Sequence, residues 1–152
     1  MMKKAITEIE VGYGLGPLEF GMTRDEVLEV LGKPDEVDAY TYAEENGGGK
    51  AESWHYDELA LSLEFDEEDD WVLLTLAVSS DEYTINNISM IGLDMAKVKD
   101  HLFDLGVLDL DKEDHSTHES PNHILLSSDS TGINFWFDDN LLTEIQWGPV
   151  FE

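Results

Sequence analysis

Three histidines lie close together in the second half of the sequence, at His115, His118 and His123. Imidazole nitrogens beside carboxylates, here those of Asp114 and Glu119, form ligand sets that zinc and nickel accept. The segment lacks the helical, glutamate-bearing motif of a zinc hydrolase. It is therefore either a metal site, which would make the chain a metal-binding protein or enzyme, or a solvated polar loop. We expect the loop, with no metal and no cofactor.

The other patterns that could support chemistry are incomplete. Asp109, Asp111 and Glu113 begin like a calcium loop, but Asp114 occupies the place of the turn glycine and Ser120 that of the bidentate glutamate. The absence of cysteine excludes a thiolate nucleophile, a thiolate metal site and a disulfide. There is no Gly-x-Ser-x-Gly elbow either. We predict that the chain is not an enzyme and has no catalytic residues.

Charge is the dominant property of the composition. Thirty-five Asp and Glu residues face eight Lys and Arg residues, which gives a formal net charge of -27 at pH 7. Such a field repels phosphate backbones and anionic lipid headgroups and attracts basic molecules. We therefore predict a basic protein partner and no binding to nucleic acid or membrane. An adaptation to solubility or to a saline habitat would produce the same composition.

The apolar residues are distributed as in a globular protein. They make up 41% of the 152 residues, enough for a packed core. No stretch approaches the about 20 apolar residues that a membrane span needs. Glu8 and Glu10 interrupt the N-terminal segment, which argues against a signal peptide. We expect a cytoplasmic protein that is a monomer or a weak dimer.

Two stretches of the sequence, residues 21–32 and 92–103, match each other at a constant offset of 71 residues. Each begins with glycine and continues into the apolar spacing of an amphipathic helix. Thr23 is a suitable N-cap, with Glu26 completing a capping box, and Asp94 takes the same place in the second stretch. A glycine after each pattern ends the helix.

Apolar residues that alternate with polar ones predict strands after each helix. Leu61, Leu63 and Phe65 show this pattern most clearly in the first half, and the run around Phe135 shows it in the second. The predicted strands lie at residues 52–56, 61–65, 72–78, 123–127, 133–137 and 141–147, with a further N-terminal strand near residues 6–11. Segments 43–51 and 109–121 are predicted to be polar loops.

These patterns together predict an α+β fold built from two tandem repeats, residues 1–84 and 85–152, within one compact two-lobed domain. Each repeat packs a helix on a three- to four-stranded antiparallel meander. The two meanders form one larger sheet with both helices on one face. The matched caps, glycines and spacing indicate an internal duplication.

The first repeat carries a pattern that resembles known small α+β units. Its residues are Gly21, Met22, Thr23, Glu26, Val27, Leu31, Gly32 and Pro34, followed by Trp54, His55, Tyr56, Phe65 and Asp66. The string resembles the small-protein-A type of outer-membrane assembly lipoproteins. It is also similar to the β-lactamase inhibitor proteins, which consist of two tandem copies of such a unit. In the second copy Leu93 replaces Met22, and the chain has neither a lipid-bearing cysteine nor disulfides. The resemblance implies a non-catalytic role in binding proteins on a sheet.

The alternation also predicts which side chains lie on the sheet face opposite the helices. Trp136 among polar neighbours is typical of a binding hot spot, unless a loop or the other lobe covers it; Trp54 is expected in the core. An acidic turn either steers a basic partner or is simply solvated. The same alternation places Leu142 on this face. The candidate partner-binding residues are Ser62, Glu64, Asn134, Trp136, Glu144 and Gln146 on the sheet and Asp66, Glu67, Glu68, Asp69 and Asp70 in the turn.

The leading hypothesis from the sequence is an acidic immunity or inhibitor protein. It would neutralise a basic toxin or enzyme by binding its active cleft. One alternative is an envelope assembly or scaffold module. The other is the metal-binding protein or enzyme that would use His115, His118 and His123.

Overall fold

The computed structural model describes residues 6–41 and 49–150. Within these residues the chain forms two α-helices, α1 (Arg24–Leu31) and α2 (Met95–Asp104), and twelve β-strands in two sheets. The predicted α+β class is confirmed. No helix in the described ranges has the length and apolar character needed to cross a membrane.

The larger sheet has eight strands in the order β4-β5-β6-β7-β12-β11-β10-β9, and all neighbours are antiparallel. The two halves of the chain meet where β7 pairs with β12, for example at Val78 and Ile145. The strands are β4 (Glu36–Thr41), β5 (Lys50–Tyr56), β6 (Leu61–Asp66), β7 (Leu73–Val78), β9 (Leu110–Asp114), β10 (His123–Ser128), β11 (Ile133–Asp138) and β12 (Leu141–Trp147).

A smaller sheet is formed mainly by the N-terminal segment. Its order is β3-β2-β1-β8, and β1 and β8 are parallel. The indole Nε1 of Trp147 donates a hydrogen bond to the carbonyl of Gly14 at 3.1 Å, which links this sheet to the last strand of the larger one. The strands are β1 (Glu8–Glu10), β2 (Gly14–Leu15), β3 (Leu18–Glu19) and β8 (Thr84–Ile85).

One face of the eight-stranded sheet contributes to a continuous hydrophobic core. Phe65, Phe135 and Phe137 are at most 1% exposed. Val27 of α1 and Val98 of α2 belong to the same cluster, so each helix contributes to the core. Val30 of α1, by contrast, is 40% exposed. Burial of this apolar surface is the main term that offsets the entropy of ordering the chain. Trp54 is also buried, as predicted.

The predicted helix starts are confirmed. Thr23 accepts a hydrogen bond from the backbone N–H of Glu26 at 3.2 Å, and the Glu26 side chain accepts one from the N–H of Thr23 at 3.0 Å. Asp94 accepts a hydrogen bond from the N–H of Lys97 at 2.9 Å. Each cap satisfies an N–H that has no partner within the helix.

The approaches to the two helices have closely matching geometry. Gly21 and Gly92 have φ angles of 97° and 98°, a region that only glycine adopts without strain. Gly21 N–H donates to the carbonyl of Leu73, and Gly92 N–H donates to that of Leu142, both at 2.8 Å. Each half also has one irregularity in its last hairpin, at Glu64/Phe65 and at Trp136/Phe137.

Three details of the sequence-based expectation are wrong. Strand β9 lies inside segment 109–121, which was predicted to be a loop. Lys50 and Ala51 belong to β5 and not to the loop 43–51; residues 43–48 of that loop lie outside the described residues. Leu142 is 1% exposed and belongs to the core, because the irregularity after Trp136 inserts Thr143 and shifts the alternation of β12 by one residue.

Candidate functional site

The second face of the eight-stranded sheet, here called the outer face, consists of the strand side chains that point away from the hydrophobic core. Cross-strand pairing assigns eight carboxylates to it. The two lysines in these strands, Lys50 and Lys112, pair with core-face residues, so no Lys or Arg lies on the outer face of the described strands. The carboxylates belong to Glu36, Asp38, Glu64, Asp66, Asp111, Glu113, Asp138 and Glu144.

The structure brings the predicted polar residues of the sheet onto this one face. Ser62 pairs with Ala77, Ala77 with Gln146, and Gln146 with Asn134, so these residues form a row across β6, β7, β12 and β11. Glu144 is directly opposite Trp136 on the neighbouring strand. Both halves of the chain therefore contribute to a single surface.

Trp136 is packed between two of the predicted histidines. The His123 ring stacks on it with centroids 4.9 Å apart and planes 11° apart. The His115 ring approaches it in a T-shaped arrangement at 5.1 Å and 69°. Its indole Nε1 donates a long hydrogen bond, 3.4 Å, to the Gln146 side chain. Trp136 is therefore half-buried, and the connection between β9 and β10 covers part of its ring.

A chain of hydrogen bonds fixes the His123 ring. Its Nδ1 lies 2.7 Å from a carboxylate oxygen of Asp138, whose other oxygen accepts a hydrogen bond from the Thr143 hydroxyl at 2.9 Å. The Thr143 hydrogen bond, followed by the interaction with His123, lowers the pKa of Asp138 below its ordinary value. Asp138 is thus held as a carboxylate that orients the ring on Trp136.

Glu144 has the opposite electrostatic environment. Burial raises the pKa of its carboxyl group above the ordinary value, and the negative charge of Glu64 raises it further. Asp138 acts in the same direction, and His123 opposes it. Carboxylates from both halves of the chain therefore repel each other at this point of the outer face, and a positive charge brought there by a partner would relieve that repulsion.

The three predicted histidines are not arranged as one ligand set within the described residues. His115 and His123 face the Trp136 ring, whereas His118 is exposed in the turn between β9 and β10. Among residues 6–41 and 49–150, no three His, Asp or Glu side chains are arranged to hold a metal ion. The aromatic contacts give His115 and His123 a packing role that their spacing in the sequence does not reveal.

The predicted acidic turn forms a short 3-10 helix, Glu67–Asp69, at the end of β6. Its N-cap is Asp66, which accepts a hydrogen bond from the N–H of Glu68 at 2.9 Å. Trp71 follows the turn with a φ angle of 60°, and the Arg24 guanidinium lies 4.4 Å above its ring. The exposed residues Glu67, Glu68, Asp69 and Asp70 extend the negative charge beyond the edge of the outer face.

A second histidine arrangement, which the sequence does not predict, lies on the outer face. His55 Nδ1 lies 2.8 Å from the Ser62 hydroxyl and its Nε2 lies 3.0 Å from Asp38, beside a surface pocket of about 380 Å³. The cross-strand pairing of His55 with Ser62 is the signal that could have revealed it. Glu36 also lines the pocket, and its negative charge would repel a developing oxyanion. The hydrogen bonds hold Asp38, His55 and Ser62 together on the outer face.

Comparisons of the chain with family models, with curated proteins and with solved structures find no match.

Proposed function

We propose that this chain is a non-enzymatic protein-binding module, an acidic immunity or inhibitor protein that neutralises a basic toxin or enzyme by occupying its active cleft. The observation that supports it is the outer face itself. Five of the eight strands present eight carboxylates there, with no Lys or Arg on this face among the described strand residues. Charge complementarity of this kind steers a basic partner and raises its association rate.

The part of this surface around Trp136 has the composition of a binding hot spot. Trp136 is a half-buried aromatic residue surrounded by polar and acidic side chains, and Asn134 and Gln146 lie in the neighbouring row. Aromatic residues at the centre of an interface contribute most of its binding energy. Because His123 already stacks on the indole ring, part of the conformational entropy of ordering Trp136 is lost before the partner arrives.

The two halves are, in this proposal, diverged copies of one helix-and-meander unit. Four strands of the larger sheet follow each helix, and the φ angles of Gly21 and Gly92 agree within one degree. Duplication of such a unit and pairing of β7 with β12 would double the width of the sheet. We further propose that the protein acts in the cytoplasm, where the absence of cysteine has no cost in stability.

Two matched sets of substitutions test the proposed function. The first set, here called the outer-face variant, combines Glu64→Gln, Asp138→Asn and Glu144→Gln and removes three charges from the outer face. The second set, here called the helix variant, combines Glu29→Gln, Asp100→Asn and Asp104→Asn and removes three charges from exposed helix positions. Both are checked for native circular dichroism. Immobilised wild-type chain and the helix variant should retain the same basic protein from an extract of the source cells. The outer-face variant should lose at least about tenfold in affinity. Equal retention by both variants would contradict the proposal.

A further inference from the structure

We propose that the partner is a protein whose own ligand is a nucleic acid, and that the outer face occupies its cleft in place of a phosphodiester backbone. This inference rests on the proposed function and adds the chemistry of the partner. The chain would act as a mimic of the polyanion and would not itself bind nucleic acid, because its net charge of -27 repels phosphate.

The carboxylates of the outer face are arranged in lines and not in a cluster. On three strands they occur in pairs two residues apart, which places their Cα atoms about 6.6 Å from each other. The three pairs are Glu36 with Asp38, Glu64 with Asp66, and Asp111 with Glu113.

The width of the charged surface matches a segment of nucleic acid. Its outermost pairs belong to β4 and β9, the two edges of the sheet. Seven intervals of about 4.8 Å between eight neighbouring strands give about 34 Å, the length of about ten base pairs at 3.4 Å each. A cleft that binds nucleic acid has Lys and Arg side chains spread over a comparable length, whereas a cleft for a small substrate does not.

The remaining side chains of the face suit such a partner. The lysines of these strands, Lys50 and Lys112, lie on the opposite side, so they would not repel incoming Lys and Arg. An Arg that binds phosphate by its planar guanidinium can form the same bidentate contact with a carboxylate. Trp136, half-buried and directly opposite Glu144, adds an aromatic side chain to the face.

Displacement of the captured protein tests this inference. Intact wild-type chain is immobilised and loaded with the basic protein it retains from an extract of the source cells. Three competitors are then compared at constant ionic strength for their ability to elute the protein. They are a DNA duplex of about 20 base pairs, an RNA strand of equal length, and polyglutamate of equal total charge. The duplex is longer than the outer face is wide. We expect DNA or RNA to displace the protein at a charge concentration at least about tenfold lower than polyglutamate. The eluted protein should bind or cleave labelled nucleic acid, and wild-type chain should inhibit it while the outer-face variant should not.

The outcomes separate the two proposals. If polyglutamate displaces the protein as well as nucleic acid does, or if the eluted protein has no affinity for nucleic acid, the inference about the partner's ligand is wrong while the protein-binding role stands. A nucleic-acid-binding protein that the chain does not inhibit also overturns the inference. If the outer-face variant retains the protein as well as the wild-type chain does, the proposed function itself fails.

Discussion

Glu144 and Asp138 are both acidic residues of the outer face, yet the fold treats their ionised forms in opposite ways. Asp138 is stabilised as a carboxylate by the Thr143 hydroxyl and by His123, which lowers its pKa. Burial, and after it the negative charge of Glu64, destabilise the ionised form of Glu144 and so raise its pKa. A buried charge without a cationic partner costs folding free energy. We infer that Glu144 is maintained for binding and not for stability.

Replacing Glu144 should stabilise the folded protein at neutral pH. A carboxyl group whose pKa is raised in the folded state binds more protons in that state than in the unfolded state. It therefore lowers the free energy of unfolding progressively as the pH rises from its ordinary pKa to its raised pKa. Glu144→Gln removes this penalty. We therefore expect a higher urea midpoint at pH 7, and a difference from wild type that disappears as the pH falls below the ordinary carboxyl pKa, measured by fluorescence.

The same substitution should weaken capture of the basic partner, so stability and binding change in opposite directions. Glu29→Gln is the matched control, because Glu29 is exposed on α1 and away from the outer face. That variant should leave both the pH dependence and the capture nearly unchanged. A urea midpoint that is lowered by Glu144→Gln at pH 7 would contradict the electrostatic assignment.

At the scale of residues, the sequence predicts the members of the site better than their contacts. Alternation along β11 is enough to place Asn134 and Trp136 on the same face. The stacking of His123 on Trp136 depends on the pairing of β10 with β11, and the approach of His115 depends on the turn that precedes β10. The spacing of the histidines along the chain instead resembles that of a metal site. Local sequence does not show which aromatic rings a turn brings together.

At the scale of elements, the central strands are predictable and the edge strands are not. Strands β6 and β11 have a buried residue at every second position, and this produces the alternation seen in the sequence. All six residues of β4 are exposed, and β9 has four exposed charged residues, because an edge strand has a neighbour on one side only. Charge on an edge also prevents unwanted strand pairing, so these residues resemble a loop in composition.

The helix caps are predictable because their chemistry is local, and their contribution can be measured separately. Thr23→Ala removes the acceptor for the Glu26 N–H, and Asp94→Ala removes the acceptor for the Lys97 N–H. Each should reduce the free energy of unfolding by about 1 kcal/mol, the usual contribution of an N-cap. Urea denaturation followed by circular dichroism provides the measurement.

Conservative replacements control for the loss of side-chain volume. Thr23→Ser and Asp94→Asn keep an oxygen that can accept the same hydrogen bond, so each should retain most of the wild-type stability. If the alanine and the conservative variants unfold at the same urea concentration, the caps do not contribute in the way their geometry indicates.

At the scale of the whole molecule, the two halves should not fold independently. The core cluster includes residues of both, such as Leu63 and Phe135, and β12 pairs with β7 on one side and β11 on the other. A fragment of residues 85–152 would expose the β7-pairing edge of β12 and the buried side chain of Trp147. We expect this fragment to lack cooperative unfolding by circular dichroism, and the intact chain to unfold in one transition. Two separate transitions in the intact chain would contradict this.

The charge that the sheet displays to a partner also acts on the folded chain itself. With a net charge of -27, mutual repulsion of the carboxylates destabilises the compact state. Raising sodium chloride from about 0.1 M to about 1 M shortens the screening length from about 10 Å to about 3 Å. Screening should therefore raise the melting temperature of the free chain and weaken its capture of a basic partner over the same range. The outer-face variant should show a smaller change in capture, because three of the attracting charges are absent. Salt that lowers the melting temperature would contradict the self-repulsion of the carboxylates. Salt that leaves capture unchanged or strengthens it would mean that the carboxylates of the outer face do not make the contact with the partner.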